Sequence, residues 1–309
     1  MENLSYFDRH RLYFRLCSIL LLALVILENV YSQAPDVPER TDNNLIVASY
    51  NIKWFGQTAH DVEKLAKVIQ HFDVCGVLEV KNEKAIKELV HILESSTDKK
   101  WGYVYGIRTH RPNGTYYEVY AVIWRKDRVQ LGDGLISGVW DMHESFRNDP
   151  YIVSFKSKNY DFVLVLLHTR WSNDADGSRQ EEVYMISEHI RWLKSYLDEK
   201  DFILLGDFNY SADSQQMHEM ANNAHLIRID PNQNSTFKKD FSGYASPYDH
   251  IYITEEAVRE YMPNSSKIMD TTKLIYGSND IGNMRKSKTE LSDHLPVWAI
   301  FDVTKTDDD

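Results

Sequence analysis

The stretch Ile203-Leu-Leu-Gly-Asp-Phe-Asn209 decides the fold class, because it joins an apolar strand to a polar turn. Its apolar run is typical of a strand covered on both faces, as in α/β proteins. Gly206 permits the backbone to turn or to approach a ligand closely. Asp207 and Asn209 are two residues apart, so their side chains point the same way in an extended segment. Such a pair can hold a hard cation and a phosphate oxygen, although an isolated turn of this kind is more often a strand cap.

Three other apolar runs lead to polar side chains, which favours a site over a set of caps. Asn51, Glu79 and His168 each come directly after a predicted strand. Polar residues at the strand ends of an α/β sheet are a usual place for a functional site. We therefore expect these residues and Asp207 to lie near one another.

The rest of the chain alternates between strand and helix patterns without a clear domain boundary. Helical spacing covers Asp61–His71, Lys84–Leu93 and residues 179–197, and further strand patterns lie between them. We predict one α/β domain over residues 45–303, followed by an acidic tail at 304–309. The 43% apolar and 12% aromatic content is sufficient for a large core.

The first 32 residues have the layout of a secretory signal. Three arginines precede the apolar run Leu16–Leu27, which is too short for a spanning helix of about 20 residues. We predict a signal peptide at 1–32, a linker at 33–44 and a secreted protein, with an uncleaved signal anchor as the alternative. Only Cys75 would remain after cleavage, in an apolar run where a buried, inert thiol is expected.

The overall charge excludes general electrostatic attraction to polyanions. At a formal net charge of −11, a protein that binds nucleic acid needs a local basic patch or bound cations. Asn51, Glu79, Asp207 and Asp293 provide an oxygen-rich set suited to Mg²⁺, Mn²⁺ or Ca²⁺. For Glu79 alone, a structural salt bridge is an equally good explanation.

Two histidines beside apolar strands are candidates for proton transfer. His168 ends one strand, and His294 precedes the last one. Histidine titrates near neutral pH, so two in one site can act as general base and general acid. Each needs a carboxylate to orient its ring, and Glu118 and Asp249 are the candidates.

Seven short motifs occur in a fixed order, and together they carry a resemblance. They are Tyr50-Asn-Ile-Lys-Trp-Phe-Gly56, Leu78-Glu-Val80, Tyr117-Glu118, Leu167-His168, Gly206-Asp-Phe-Asn209, Tyr248-Asp-His-Ile251 and Ser292-Asp-His-Leu-Pro296. In this order the chain resembles the endonuclease/exonuclease/phosphatase superfamily, and within it the deoxyribonuclease I branch. The resemblance implies a four-layer α/β sandwich, in which two mixed β-sheets pack face to face with helices on the outside.

The resemblance also implies catalytic and metal roles. His294, oriented by Asp249, would activate a water molecule, and His168, paired with Glu118, would protonate the leaving 3′ oxygen to give 5′-phosphate products. The two roles can be exchanged, because the groups are coupled. Mg²⁺ or Mn²⁺ would be the catalytic ion, and Ca²⁺ a stabilising one. The positions that match the family's metal site are Asn51, Glu79, Asp207 and Asp293.

For the substrate, the resemblance implies a secreted, monomeric enzyme that cuts DNA, most readily double-stranded DNA. Asn209 and Arg147 match positions that bind the scissile phosphate, and Lys81 and Tyr116 match positions that touch the minor groove. The basic residues that favour a long polyanion are Lys53, Lys81, Arg108, Arg111, Arg147 and Arg170.

Two features depart from the branch pattern and leave alternatives open. The disulfide that clamps the loop after the Gly-Asp-Phe-Asn motif is missing, because Ala212 and Ser246 occupy the corresponding places. Lys81 stands where the branch usually has arginine, and lysine lacks the planar fork of a guanidinium. The same scaffold also carries secreted sphingomyelinase-type phosphodiesterases, and a catalytically inactive binding module is a third possibility.

Overall fold

A computed structural model describes residues 36–106, 118–136, 146–171 and 178–306. Two six-stranded mixed sheets dominate this part of the chain. Each contains one parallel pair of neighbouring strands, and all its other pairs are antiparallel. The two parallel pairs are the strands that carry most of the motifs identified in the sequence.

The first sheet is built around its longest strand, β1 (Asn44–Phe55), which is buried along almost its whole length. Near-continuous burial follows from coverage on both faces, as the apolar run predicts. β1 pairs in parallel with β2 (Val74–Val80) and antiparallel with β12 (Val297–Asp302). The sheet order is β11-β12-β1-β2-β4-β3, in which β3 is Trp101–Tyr105, β4 is Val119–Arg125 and β11 is Lys267–Ile268.

The second sheet is centred on the parallel pair β7 (Tyr160–His168) and β8 (Phe202–Asp207). Every residue of β8 is buried, as the opening motif predicts. The sheet order is β5-β6-β7-β8-β10-β9, in which β5 is Gln130–Ile136, β6 is Tyr151–Ser157, β9 is Leu226–Arg228 and β10 is Asp249–Thr254.

Six α-helices lie in the described ranges, and side-chain caps begin several of them. Asp61 caps the first by accepting from the backbone nitrogen of Lys64, and Asn82 caps the second in the same way. None of the described helices is long and apolar enough to cross a membrane. The helices are α1 (Val62–Ile69), α2 (Glu83–Thr97), α3 (Ser178–Tyr196), α4 (Gln215–Ala224), α5 (Thr271–Tyr276) and α6 (Ile281–Glu290).

Three apolar layers hold these elements together. A central core that includes Leu164 and Leu205 fills the space between the sheets. A second core packs α1 and α2 on the first sheet, and a third packs α3 and α4 on the second. The four-layer sandwich predicted from the sequence is therefore confirmed. Cys75 is buried in the second core, where desolvation raises the pKa of its thiol.

The described part of the predicted linker contacts the domain. The Arg40 guanidinium lies 2.7 Å from the buried Asp73 carboxylate, and Trp298 donates to the Asp36 carbonyl at 3.2 Å. These contacts attach the segment to the start of β2 and to β12, the two strands beside β1. The signal peptide predicted at 1–32 lies outside the described residues.

Candidate active site

One cleft collects side chains from both sheets, with a volume of about 610 Å³. Both candidate histidines line it, together with four of the acids singled out in the sequence. The acids are Glu79, Glu118, Asp207 and Asp293. The cleft therefore brings together residues that are up to 241 positions apart, between Lys53 and His294.

Strand register positions the site residues that belong to the second sheet. Asp207 ends β8, where it is directly opposite His168 on β7 and Asp249 on β10. Gly206 makes this close packing possible: a Cβ there would lie 1.8 Å from the Leu167 carbonyl oxygen, and its φ is +149°. The close approach of the neighbouring strand, which the sequence did not predict, thus requires glycine at this position.

The first sheet contributes through two irregularities in its strands. The pairing of β1 with β2 shifts between Asn51 and Phe55, and the pairing of β2 with β4 shifts between Val77 and Val80. Asn51 and Glu79 thus lie within irregular strands, not after strand ends as we expected from the sequence. Glu79 has a left-handed φ of +58°, and such conformations cluster at functional sites because surrounding structure must hold them.

The first histidine pair is buried and tightly hydrogen-bonded. His168 Nδ1 is 2.5 Å from Glu118 Oε1, which also accepts from Asn148 Nδ2 at 2.6 Å. The other ring nitrogen, Nε2, lies 3.7 Å from Asp207 Oδ2. Burial by itself lowers the pKa of His168, but the Glu118 carboxylate and the nearby Asp207 raise it to about 10. The two carboxylates therefore favour the protonated ring.

The second pair repeats this arrangement. His294 Nδ1 is 2.8 Å from Asp249 Oδ2, and that oxygen accepts from Ser235 Oγ at 2.5 Å. His294 Nε2 lies 3.6 Å from Asp207 Oδ2. Burial lowers the pKa of His294, but Asp249 and Asp207 raise it well above its ordinary value. Both rings thus present Nε2 to one carboxylate oxygen.

The donor set fits a hard divalent cation. Asn51 Nδ2 donates to Glu79 Oε1 and to Asp207 Oδ2, both at 3.1 Å, so these residues form one oxygen-rich group. Asn51 Oδ1 is buried and has no hydrogen-bond partner among the described residues. A buried acceptor without a donor is unfavourable in a protein interior, and a bound cation would satisfy it. Ligand atoms of Glu79, Glu118 and His168 also lie within 4.8 Å of one another.

Asp293, the fourth predicted metal ligand, has a different partner. Its Oδ2 lies 2.7 Å from Lys53 Nζ, and both side chains are partly exposed in the cleft. Burial raises the pKa of Asp293, but His294 and Lys53 hold it below its ordinary value. The lysine therefore competes with a cation for this carboxylate.

The predicted phosphate ligands line the cleft, whereas Lys81, one of the two predicted groove contacts, is not among its described lining residues. Asn209 is held by a hydrogen bond from its Nδ2 to the Thr169 carbonyl at 2.8 Å, and Arg147 lines the same cleft. Lys81 is only 6% exposed and is not among the described lining residues. Tyr116, like Arg108 and Arg111, lies outside the described residues.

A buried histidine stabilises the loop that lacks the disulfide. His250 Nε2 lies 2.9 Å from the Tyr210 carbonyl oxygen, and its Nδ1 lies 3.1 Å from Asp230 Oδ2. The Arg179 guanidinium also stacks 3.7 Å from the centre of the Tyr210 ring. These contacts tie the segment after Asn209 to β10. We did not anticipate them, because nothing in residue spacing distinguishes His250 from other histidines.

Three further polar residues support the site and were missed in the sequence. Asn148 and Ser235 orient the two carboxylates, as described above. Ser292 donates its hydroxyl to the Asn51 carbonyl at 2.6 Å and accepts from the His294 backbone nitrogen at 3.2 Å. It therefore connects the first sheet to the second histidine. Ser292 was visible as part of the Ser-Asp-His motif, but its role depends on tertiary contacts.

The sequence matches a known family over most of its length. The model of the Endonuclease/Exonuclease/phosphatase family matches residues 48–294. A deoxyribonuclease of Thioalkalivibrio sp. (strain K90mix) is 25% identical over 276 residues, covering 86% of this chain and 73% of that protein. Deoxyribonuclease-1 of Canis lupus familiaris is 26% identical over 275 residues, covering 82% of this chain and 90% of that protein.

Solved structures share the fold at low sequence identity. An endonuclease/exonuclease/phosphatase family protein from Bacteroides thetaiotaomicron aligns with a TM-score of 0.55 at 18% identity, covering 84% of this chain and 94% of that one. Truncated TDP2 from Caenorhabditis elegans aligns with a TM-score of 0.58 at 13% identity, covering 84% and 97%. At this identity the likeness establishes the architecture.

Proposed function

We propose that this chain, which belongs to the endonuclease/exonuclease/phosphatase family, is an endonuclease that hydrolyses DNA with a divalent cation and two histidine–carboxylate pairs. One observation carries the proposal: His168 and His294 both direct Nε2 to Asp207 Oδ2, at 3.7 and 3.6 Å. Two proton-transfer groups thus flank one point in the cleft. The deoxyribonucleases among its relatives support DNA as the substrate.

The mechanism assigns one proton transfer to each pair. With its ring in the neutral form, which positive charge of a cation held beside Asp207 would favour, His294 Nε2 takes a proton from a water molecule as the water oxygen bonds to phosphorus. The bond from phosphorus to the 3′ oxygen breaks, and His168 Nε2 gives its proton to that oxygen. The products are a 5′-phosphate and a 3′-hydroxyl. Asp249 and Glu118 keep the two rings oriented through Nδ1.

Other residues bind and orient the phosphate. Asn209 and Arg147 donate hydrogen bonds to its non-bridging oxygens from the cleft wall. Asn51, Glu79 and Asp207 would hold the cation. A Mg²⁺ or Mn²⁺ ion bound by them would supply positive charge to stabilise the transition state, and Ca²⁺ is a candidate stabilising ion.

Plasmid nicking tests this function. Wild-type protein is expected to nick supercoiled DNA with Mg²⁺ and to stop in EDTA. His168→Ala and His294→Ala should each reduce the rate by about 10²–10⁴-fold, whereas His225→Ala, at an exposed position, should leave it unchanged. Nicking that persists in EDTA, or that survives both active-site substitutions, would refute the proposal. Hydrolysis of sphingomyelin alone would replace it with the lipid phosphodiesterase.

Secretion and a monomeric state remain proposals that rest on the sequence. The basic and apolar segments of residues 1–32 support export with cleavage of the signal peptide. Expression in a cell with a secretory pathway, followed by N-terminal sequencing and light scattering of the exported protein, tests both. Retention in the membrane fraction would instead support the signal anchor.

A further inference from the structure

Two tryptophans line the catalytic cleft with their rings exposed to solvent. Trp171 is 71% exposed and Trp54 is 39% exposed, and both belong to the same cleft as the two histidines. Large aromatic side chains are usually mostly buried, since burial of their apolar surface is favourable. Two such rings beside a polar site therefore indicate a ligand with an apolar, flat surface.

The backbone near each tryptophan is held by hydrogen bonds to residues of the site. Trp54 has a left-handed φ of +50°, and its backbone nitrogen donates to Glu79 Oε2 at 3.2 Å. Trp171 follows Thr169, whose nitrogen donates to the Asp207 carbonyl at 3.0 Å and whose hydroxyl bonds the Phe208 carbonyl. One tryptophan thus extends from the first sheet and the other from the second. Trp54 is hydrogen-bonded directly to Glu79, and Trp171 lies two residues after Thr169, which is hydrogen-bonded to Asp207.

Basic side chains stand beside these rings and would contact an anionic ligand with aromatic parts. Lys53 lies 5.5 Å from the centre of the Trp54 ring, and the lining also includes Arg147, Lys239 and Lys288. The acids in the same lining are those that would hold the cation and orient the histidines. Alternating cations and aromatic rings are the features by which proteins bind single-stranded nucleic acid: the cations contact phosphates and the rings stack on bases.

We propose that Trp54 and Trp171 form a stacking subsite for unpaired nucleobases next to the scissile phosphate, so that the preferred substrate is single-stranded or locally unwound DNA. This inference rests on the proposed nuclease function. In a duplex, the faces of the bases are covered by their neighbours, so a ring can stack only on a base that is unpaired or displaced. Duplex DNA then reacts mainly where it frays or opens.

A lipid surface is the competing ligand for exposed tryptophans, and the position of the rings argues against it. Trp and Tyr anchor proteins at membranes where an apolar face meets the headgroups. Here both rings share a cleft with Glu79, Asp207 and Asp293, whose negative charges would be desolvated by a bilayer.

Binding tests the subsite independently of catalysis. In a His168→Ala/His294→Ala protein, a dT12 oligonucleotide should bind more tightly than an abasic 12-mer with the same phosphates. Stacking predicts a ratio of about 5 to 150 for each engaged base. Trp171→Ala should remove most of this ratio, whereas Trp171→Phe should preserve it. Equal affinity for the two oligomers would overturn the inference even if the protein is a nuclease.

Kinetics with active protein provide the second test. On a single-stranded 30-mer, Trp171→Ala and Trp54→Ala should each lower kcat/KM by at least about 5-fold, and the same-sequence duplex should be a poorer substrate for wild type. Tyr184→Ala is the matched control, since Tyr184 is 51% exposed outside the cleft. Equal losses on duplex and single strand would overturn the inference. So would tryptophan-dependent binding to sphingomyelin–phosphatidylcholine vesicles without binding to dT12.

Discussion

The two histidine–carboxylate pairs have similar geometry but are held in place by different means. His168 belongs to β7, where strand pairing puts it opposite Asp207. His294 lies in a short connection before β12, where hydrogen bonds with Ser292 and a bridge to Thr236 position it. His168 is therefore positioned by strand pairing, whereas His294 is positioned by a serine hydrogen bond and an isolated backbone bridge.

This difference affects how well the position of each histidine should tolerate substitution, but it does not reveal which histidine is the acid and which is the base. Backbone ladders are hard to perturb with single side-chain substitutions, whereas an arrangement built on hydroxyl groups depends on each of them. Both pairs face Asp207, so geometry alone makes them equivalent as proton donors or acceptors. Experiments that affect one pair at a time are needed to distinguish them, and the following four begin with the largest effect.

The chemical roles can be separated with a modified leaving group. In DNA with a 3′-bridging sulfur, the leaving thiolate does not need a proton. We expect His168→Ala to lose about 10²–10⁴-fold in kcat on ordinary DNA but far less on the sulfur substrate, while His294→Ala loses equally on both. The reverse pattern would exchange the acid and base assignments, and equal losses for both variants on both substrates would contradict divided roles.

Gly206 tests the half of the site that strand pairing holds. In Gly206→Ala the new Cβ would clash with the Leu167 carbonyl, at 1.8 Å, and the residue would need a φ of +149°. We expect the free energy of unfolding, measured by urea denaturation, to be about 3–5 kcal/mol lower than in wild type. Gly277→Ala is the control: its φ is +82° and nothing lies within 4 Å of the new Cβ, so it should lose about 1 kcal/mol. Equal losses would show that β8 tolerates displacement.

Substitutions that remove a hydrogen bond to either carboxylate should change activity less, and they allow the two pairs to be compared. Asn148→Ala removes the donor to Glu118, and Ser235→Ala removes the donor to Asp249. Each should lower kcat about tenfold with little change in KM, because a less constrained carboxylate orients its histidine less well. With the sulfur substrate, the Asn148 variant should recover and the Ser235 variant should not. Identical behaviour of the two would mean that they act only on stability.

The smallest expected effect concerns the loop that lacks the disulfide. Burial lowers the pKa of His250, but its hydrogen bond to Asp230 raises it above its ordinary value. Because the folded chain then binds the proton more tightly, this contribution to stability is complete below the unfolded pKa of about 6.5 and is lost as pH rises through the folded one. We expect His250→Asn to lower the free energy of unfolding, measured with denaturant, by about 1 kcal/mol more at pH 6 than at pH 9. A difference that is constant with pH would contradict this account.

The sequence predicted those parts of the site that depend on local pattern. The run Ile203–Leu205 followed by Gly206 and Asp207 indicated a buried strand with a polar end, and β8 has this form. The order of motifs also indicated the family and its four-layer fold. These inferences succeeded because burial on two faces imposes a continuous apolar run, and because chemically required residues recur in a fixed order along the chain.

Other features could not be read from the sequence, because they arise from contacts between distant segments. The positions of Asn51 and Glu79 depend on strand irregularities that create no periodic signal. The pairing of Lys53 with Asp293 joins residues 240 positions apart. The exposure of Trp171 could not be inferred either, since hydropathy predicts burial for an aromatic residue.

By itself, the sequence determined which residues can do chemistry and where most of the strands lie, since side-chain type and hydrophobic period are local properties. Only the tertiary structure decided how these residues are combined. It set one carboxylate, Asp207, within 4 Å of both histidines, and it replaced the missing disulfide with His250 and Asp230. The physical reason is that hydrogen bonds and electrostatic fields depend on distances of a few ångströms, and packing fixes those distances after the chain has folded.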